Sequence, residues 1–308
     1  MLAGIYRRMQ IKSRIIGYNF TQNYSMEKSF IALNKLVLLC LILFYAGASF
    51  GFSPNTASPL VCNDSYTVPI IMYHATHRKN PGKYNVTPEL LEEDFKFLKD
   101  NGYTSIFVKD LIDFQEKGIP LPQNPIMITF DDGCSNNYIN AFPLMVKHQT
   151  KCIMSVIGKY IDDNYKNGEI HETKSHVTYE QIKNMSDSGF VEIQSHTYNM
   201  HNTNGRNAMA KNKRESFQDY EKALRDDLTK LCGKLIEKTG IICTAVAYPY
   251  GKYTKPDTEN VLRKLDFKAA FTCSEGTNII TRDSNLFYLK RFNRLYGKSS
   301  KNFFKCLQ

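Results

Sequence analysis

From Val68 onward, short apolar runs alternate with amphipathic stretches, and that rhythm constrains the 308-residue chain more than any other feature. The strand candidates are Val68 to Tyr73, Thr104 to Phe107, Ile126 to Phe130, Cys152 to Val156, Phe190 to Gln194, Thr244 to Tyr248, Ala269 to Thr272 and Phe287 to Lys290. Such alternation predicts an α/β fold on a parallel sheet made of repeated strand-helix units. Two of the helices between them are marked by caps. The first has Thr87 as N-cap, Pro88 at its first position, Leu91, Phe95 and Leu98 on one face, and Gly102 past its end. The second opens on a capping box, Thr178 with Gln181, and closes at Gly189. The polar, aperiodic segment from His201 to Tyr220 is expected to form an exposed loop before a helix over Tyr220 to Thr239.

The N-terminus reads differently. Leu36 to Tyr45 (LVLLCLILFY) follows Lys28 and Lys35 and precedes Ala46-Gly47-Ala48, the order of a signal peptide. No charge occurs between Lys35 and Asp64, so the same stretch can instead stay as a signal anchor, although it is shorter than the roughly 20 residues of a spanning helix. We therefore expect an N-terminal extension with signal peptide or signal anchor at 1–52, a linker at 53–67 and the folded domain at 68–308. The product would be exported, extracellular or at the cell surface, with membrane attachment through residues 36–52 as the alternative to cleavage. Met26-Glu27-Lys28 would make a more usual start, which leaves the residues before Met26 as an upstream extension.

A net charge of +10 favours anionic surroundings. The basic residues are spread out, with no arginine-rich helix and no RNA-binding aromatic signature, so no nucleic-acid partner is expected. Eight cysteines without a CxxC pair argue against a zinc ribbon or a thioredoxin-like motif. Loss of Cys40 with the leader leaves an odd number, compatible with one disulfide or none.

The polar residues fall at the carboxyl ends of the strand candidates: His74, then Asp131-Asp132-Gly133, Ser195-His196 and Pro249-Tyr250-Gly251. In a barrel or an open parallel sheet those ends converge on one rim, where such folds place their chemistry. Asp131-Asp132-Gly133 alone reads equally well as an acidic turn in which glycine supplies a positive φ. Ser195 to His201 (SHTYNMH) adds two imidazoles five residues apart, a spacing suited to a loop that wraps an ion. With one carboxylate they make a two-histidine, one-aspartate set for zinc or another divalent transition metal. Cys134 reads as a buried neutral thiol rather than a ligand.

Together these motifs resemble the polysaccharide deacetylases of the NodB-homology type, the family 4 carbohydrate esterases, from about Val68 to Asn293. The resemblance implies a distorted (β/α) barrel with fewer than eight strands in the closed ring. It implies that Asp131 is the general base and that Asp132, His196 and His201 hold a divalent metal ion, zinc foremost and cobalt or nickel as alternatives. It also implies that the Tyr250 backbone N–H donates to the oxyanion. The five-residue histidine spacing and the opening PIIMYH at Pro69 to His74 are similar to the branch that acts on poly-N-acetylglucosamine. Two departures stand out. Ala247 occupies the place of an arginine in many relatives, and Arg291 is the expected substitute for orienting Asp131. No histidine follows His201, so His74 is the expected replacement for the late general acid. In a chain without tryptophan, Tyr198 and Tyr250 are the expected sugar-stacking surfaces. The implied partner is an acetylated polysaccharide, an exopolysaccharide or peptidoglycan, losing N-acetyl groups. Alternatives are an O-acetyl esterase on a plant polysaccharide such as xylan, or a catalytically impaired glycan-binding relative.

Overall fold

Every residue from Pro125 to Phe130 is buried, the pattern of a strand covered on both faces. That strand lies inside a curled parallel sheet in a computed structural model that describes residues 64–79, 81–167, 175–201 and 206–307. The leader at 1–52 and the linker up to residue 63 lie outside the described residues. The first strand, β1 (Ser65–Val68), pairs antiparallel with β9 (Asn278–Thr281) as a separate ribbon. The remaining strands are β2 (Ile70–Tyr73), β3 (Thr104–Ser105), β4 (Pro125–Phe130), β5 (Cys152–Val156), β6 (Val191–Ser195), β7 (Ala245–Ala247), β8 (Ala269–Phe271) and β10 (Phe292–Asn293). They run parallel in the order β10-β2-β4-β5-β6-β7-β8, with β3 paired to β4 off that path. Leu289 bridges to Phe271 of β8, and a few residues later the same segment joins β2 as β10. One short stretch of chain thus spans the gap between the two edges of the curled sheet.

The helices are α1 (Pro88–Asp100), α2 (Val108–Lys117), α3 (Phe142–His148), α4 (Gly158–Asn167), α5 (Tyr179–Asp187), α6 (Phe217–Thr239), α7 (Asp257–Lys264) and α8 (Ser300–Phe303). Both predicted caps form. Thr87 Oγ1 accepts from Leu90 N at 3.3 Å, and Thr178 and Gln181 exchange side-chain bonds with each other's backbone at 3.2 and 3.1 Å. Each such cap stabilises its helix by about 1 kcal/mol. Alternate residues of the strands feed two apolar layers. Ile71, Tyr73, Ile126, Ile128 and Phe130 belong to one layer, whereas Ile70, Met127, Ile153, Ala245 and Phe271 belong to a second that α2 joins through Val108, Leu111 and Phe114. No described helix is long and apolar enough to cross a membrane.

Several sequence expectations need correction. The run Val68 to Tyr73 is two strands broken at Pro69, and the first begins at Ser65, inside the expected linker. Ser65 and Thr67 are exposed while Tyr66 and Val68 are buried, an alternation too short to stand out beside the polar residues preceding it. Phe287 to Lys290 is not a strand, because Leu286–Tyr288 forms a 3-10 turn that buries Leu286 and Phe287. The segment after His201 is only partly an exposed loop. Ala208 and Met209 are fully buried, and the Met209 carbonyl accepts from the Tyr220 hydroxyl at 2.8 Å. The helix that follows starts earlier than Tyr220, at Phe217, with Ser216 as N-cap.

Candidate active site

Strand alternation puts Thr129 and Asp131 on the same face of β4 as Met127. There Asp131 meets Arg291, which enters from the segment closing the sheet. The pair is two-pronged, with Nη1 to Oδ1 and Nη2 to Oδ2 both at 2.8 Å, and neither side chain is more than 4% exposed. Arg291 also donates from Nε to Thr272 O at 2.8 Å and from Nη1 to Thr129 Oγ1 at 3.1 Å. Burial acts to raise the Asp131 pKa, but the guanidinium together with His196 and His74 outweighs it and holds the carboxyl below its usual range. Asp131 is therefore a fully ionised acid in a nearly dry site.

Asp132 departs from the alternation. Its φ is 73°, in the left-handed region, as are Gly133 at 68°, Thr197 at 71° and Tyr250 at 55°. Such conformations cost a non-glycine residue about 1–3 kcal/mol each and cluster where geometry serves function. This bend leaves Asp132 Oδ1 at 3.4 Å from His196 Nε2 and 3.4 Å from His201 Nε2. One ligand atom from each of the three residues lies within 4.8 Å of the others. Asp132 Oδ1 is buried with no hydrogen-bond partner among the described residues, the state of an oxygen waiting for a cation. The outward-facing nitrogens are already committed. His196 Nδ1 donates to Ala247 O at 2.8 Å, and His201 Nδ1 lies 3.1 Å from the Tyr250 hydroxyl, which donates to His201 O at 2.9 Å. With Nδ1 so engaged, each ring turns its Nε2 toward Asp132, the usual arrangement behind a histidine ligand. Burial opposes the Asp132 charge, yet the facing His196 ring holds its carboxyl well below the usual range. Burial depresses the His201 pKa further, whereas that of His196, though fully enclosed, is raised by the two aspartates. The donor set fits a divalent transition metal.

His74 lies at the end of β2 on the same rim, close enough to interact electrostatically with Asp131, Asp132 and His201. Its Nδ1 is buried without a hydrogen-bond partner among the described residues. Its backbone is held by the Asn137 side chain, which donates to His74 O at 2.6 Å from the π-helical turn Asn137–Ala141. Tyr250 is 51% exposed and its ring centroid lies 4.4 Å from that of His201, so it faces the opening.

The family model described as polysaccharide deacetylase matches residues 118–270, which include Asp131, Asp132, His196, His201 and Tyr250. The chain carries a polysaccharide deacetylase domain. The poly-beta-1,6-N-acetyl-D-glucosamine N-deacetylase of Escherichia coli (strain K12) is 27% identical over 211 residues, 62% of this chain but 31% of that protein, so the chain spans under a third of this relative's length. The protein of the same name from Staphylococcus aureus (strain MRSA252) is 25% identical over 221 residues, 71% of each chain. The structure of IcaB from Ammonifex degensii aligns with a TM-score of 0.62 at 25% identity, covering 74% of this chain and 91% of its own.

The structure brings together His74, Asp131, Asp132, His196, His201, Tyr250 and Arg291, the first and last of which lie outside the matched residues 118–270. Ala247 contributes its carbonyl to His196 where the resemblance directed attention to its side chain. Arg291 has a fully buried side chain. Burial pushes the Cys134 thiol up to about 12 and keeps it neutral. The described cysteines, among them Cys232 and Cys243, are all free thiols. Tyr198 is a correction. Its ring is pressed against Gly158, has Lys230 Nζ 3.9 Å from its centroid, and donates its hydroxyl to Asp162 at 2.8 Å, so it offers no open face to a sugar. Sequence reading missed Tyr160 and His176, whose rings lie 4.5 Å apart, with the Tyr160 ring 6.5 Å from that of His201. Ser175 and Val177 pair with Ser135 and Gly133 just past the two aspartates, a contact that no local pattern announces. A cavity of about 490 Å³ lined by Leu98, Ile106, Leu121 and Ile126 contains none of these residues.

Proposed function

We propose that this chain is an exported, metal-dependent hydrolase that removes N-acetyl groups from a poly-N-acetylglucosamine-type polysaccharide or from peptidoglycan. The observation that carries the reading is the convergence of Asp132, His196 and His201 beside the ionised Asp131–Arg291 pair. The printed names of the Escherichia coli and Staphylococcus aureus relatives favour an amide of poly-N-acetylglucosamine as substrate. The apolar run at 36–52 is assigned as leader or anchor, consistent with a substrate outside the cell.

A divalent cation, zinc in our assignment, would be held by Asp132, His196 and His201 and would supply polarisation of the acetamide carbonyl and a more acidic water. Asp131 takes the proton of the attacking water, and Arg291 keeps that carboxylate ionised and fixed in direction. The Tyr250 backbone N–H donates to the developing oxyanion, for which a donor fixed beforehand is worth most. His74 gives its proton to the leaving amine. Its unpartnered, buried Nδ1 supports that role, because a proton donor must keep one nitrogen free for substrate. Tyr160, His176 and Tyr250 form the ring-lined wall against which the sugar is expected to lie.

The test offers the purified chain acetylated glucosamine oligomers and acetylated xylan, with metal content measured and acetate and free amine followed together. Equal release of amine and acetate from the oligomers is the expected result. Acetate from xylan without amine would replace this reading with an O-acetyl esterase, and metal binding with no product from either would leave a glycan-binding relative.

A further inference from the structure

His196 and His201 stand on a segment that belongs to no helix or strand, and a five-residue interval can be crossed by many loop shapes. The shape found here is held from two sides. On one side, the first N–H groups of α4 donate to its carbonyls, Gly158 N to Thr197 O at 3.2 Å and Lys159 N to Tyr198 O at 2.7 Å. On the other, a single carboxylate on α6 accepts two successive loop amides, Tyr198 N to Asp227 Oδ1 at 2.7 Å and Asn199 N to Asp227 Oδ2 at 2.8 Å. Between these holds Thr197 sits at φ 71°, a conformation it would not keep unaided. The Tyr198 ring locks the arrangement: Gly158 leaves room for it, since a Cβ there would lie 2.6 Å from the ring, and its hydroxyl reaches Asp162 on α4.

We propose that Asp227 is a positioning residue for the metal site: by gripping the adjacent amides of Tyr198 and Asn199 it keeps Thr197 in its left-handed turn and thereby sets the separation of the two imidazole Nε2 atoms. Hydrogen bonds to an ionised acceptor are stronger than neutral ones, and two of them on neighbouring amides fix the peptide plane between those residues as well as its position. A residue outside the coordinating set then decides how well that set fits its ion. The inference rests on the metal-site reading given above.

Cobalt(II) is the probe, because its visible absorption reports coordination geometry and its affinity can be read by competition with a chelator. Asp227→Ala is expected to bind cobalt about 10–100-fold more weakly than the unaltered chain, the range seen when outer partners of metal ligands are removed, and to shift the visible band. Asp227→Asn keeps the size and one acceptor oxygen, so it is expected to fall between the two, and it carries the test if Asp227→Ala does not fold. A role confined to stability would lower the melting temperature of the metal-free variants yet leave affinity and band unchanged; that result overturns the inference. An unaltered chain that takes up no cobalt overturns the metal-site reading and this inference together.

Discussion

Arg291 and Arg294 are both wholly buried, and each grips an aspartate with two nitrogens, one reaching back 160 positions to Asp131 and the other 200 positions to Asp94. Their surroundings differ. Arg294 Nε and Nη2 lie 2.7 and 3.0 Å from Asp94, Asp94 also accepts the Tyr73 hydroxyl at 2.8 Å, and the ring of Phe303 covers the guanidinium. Burial and the Asp94 charge push the Tyr73 phenol well above its usual range, so it serves as a donor only. That pair is closed on all sides and staples α1 to the chain after β10. Asp131, by contrast, has its second flank turned to His74 and His196. The same ionic contact therefore acts as a fastener where other side chains enclose it, and at Asp131 it orients a carboxylate that faces the histidines.

The comparison is broken most sharply by turnover. Asp131→Asn is expected to keep its metal and lose about 10²–10⁴-fold in rate on acetylated glucosamine oligomers, whereas Asp94→Asn should leave the rate per folded molecule unchanged. A comparable rate loss in both would erase the distinction. Next comes stability: Arg294→Ala should cost about 3–5 kcal/mol in urea unfolding, because one partner is left charged and buried. Arg291→Ala should show a similar loss and lose turnover besides.

A half-buried carboxylate sharpens the contrast because no arginine meets it. Glu192 of β6 accepts from Val108 N at 2.7 Å and Lys109 N at 3.2 Å at the start of α2, yet burial prevails and pushes its pKa from 4.5 to about 7. Between those values the folded chain keeps a proton that the unfolded chain has lost. Stability present in full below pH 4.5 should therefore drain away as pH rises through about 7, by roughly 3 kcal/mol. Glu192→Gln should flatten that slope in unfolding measured across pH 4 to 8, on the order of the same amount. The smallest effect is expected from Tyr250→Phe, which removes the hydroxyl behind His201. Cobalt affinity should fall about 10-fold with the melting temperature of the metal-free protein unchanged.

How much of this could be read beforehand depended on whether the signal was local. The buried run ending in Asp131-Asp132-Gly133 and the two capped helices announce themselves within a dozen residues, and they appear where expected. Arg291 could be named because the missing arginine at Ala247 left a role to fill, but its depth could not, since burial of Arg291 depends on a gap between β8 and β10. Ribbon strand β9 was overlooked because Asn278 and Thr281 flank only two apolar residues, one of them exposed. Phe287 misled for the opposite reason: a 3-10 turn can bury an apolar run as well as a strand does. His176 and Asp227 act through pairings across the fold, and nothing adjacent to them in sequence marks either.

The segment that bridges the sheet edges carries both arginines, and it is synthesised after strands β2 to β8. Until residues 289–294 arrive, Asp131 has no counterion and α1 has no staple. A product stopped or clipped before residue 289 would carry Asp132, His196 and His201 and still leave Asp131 without its guanidinium.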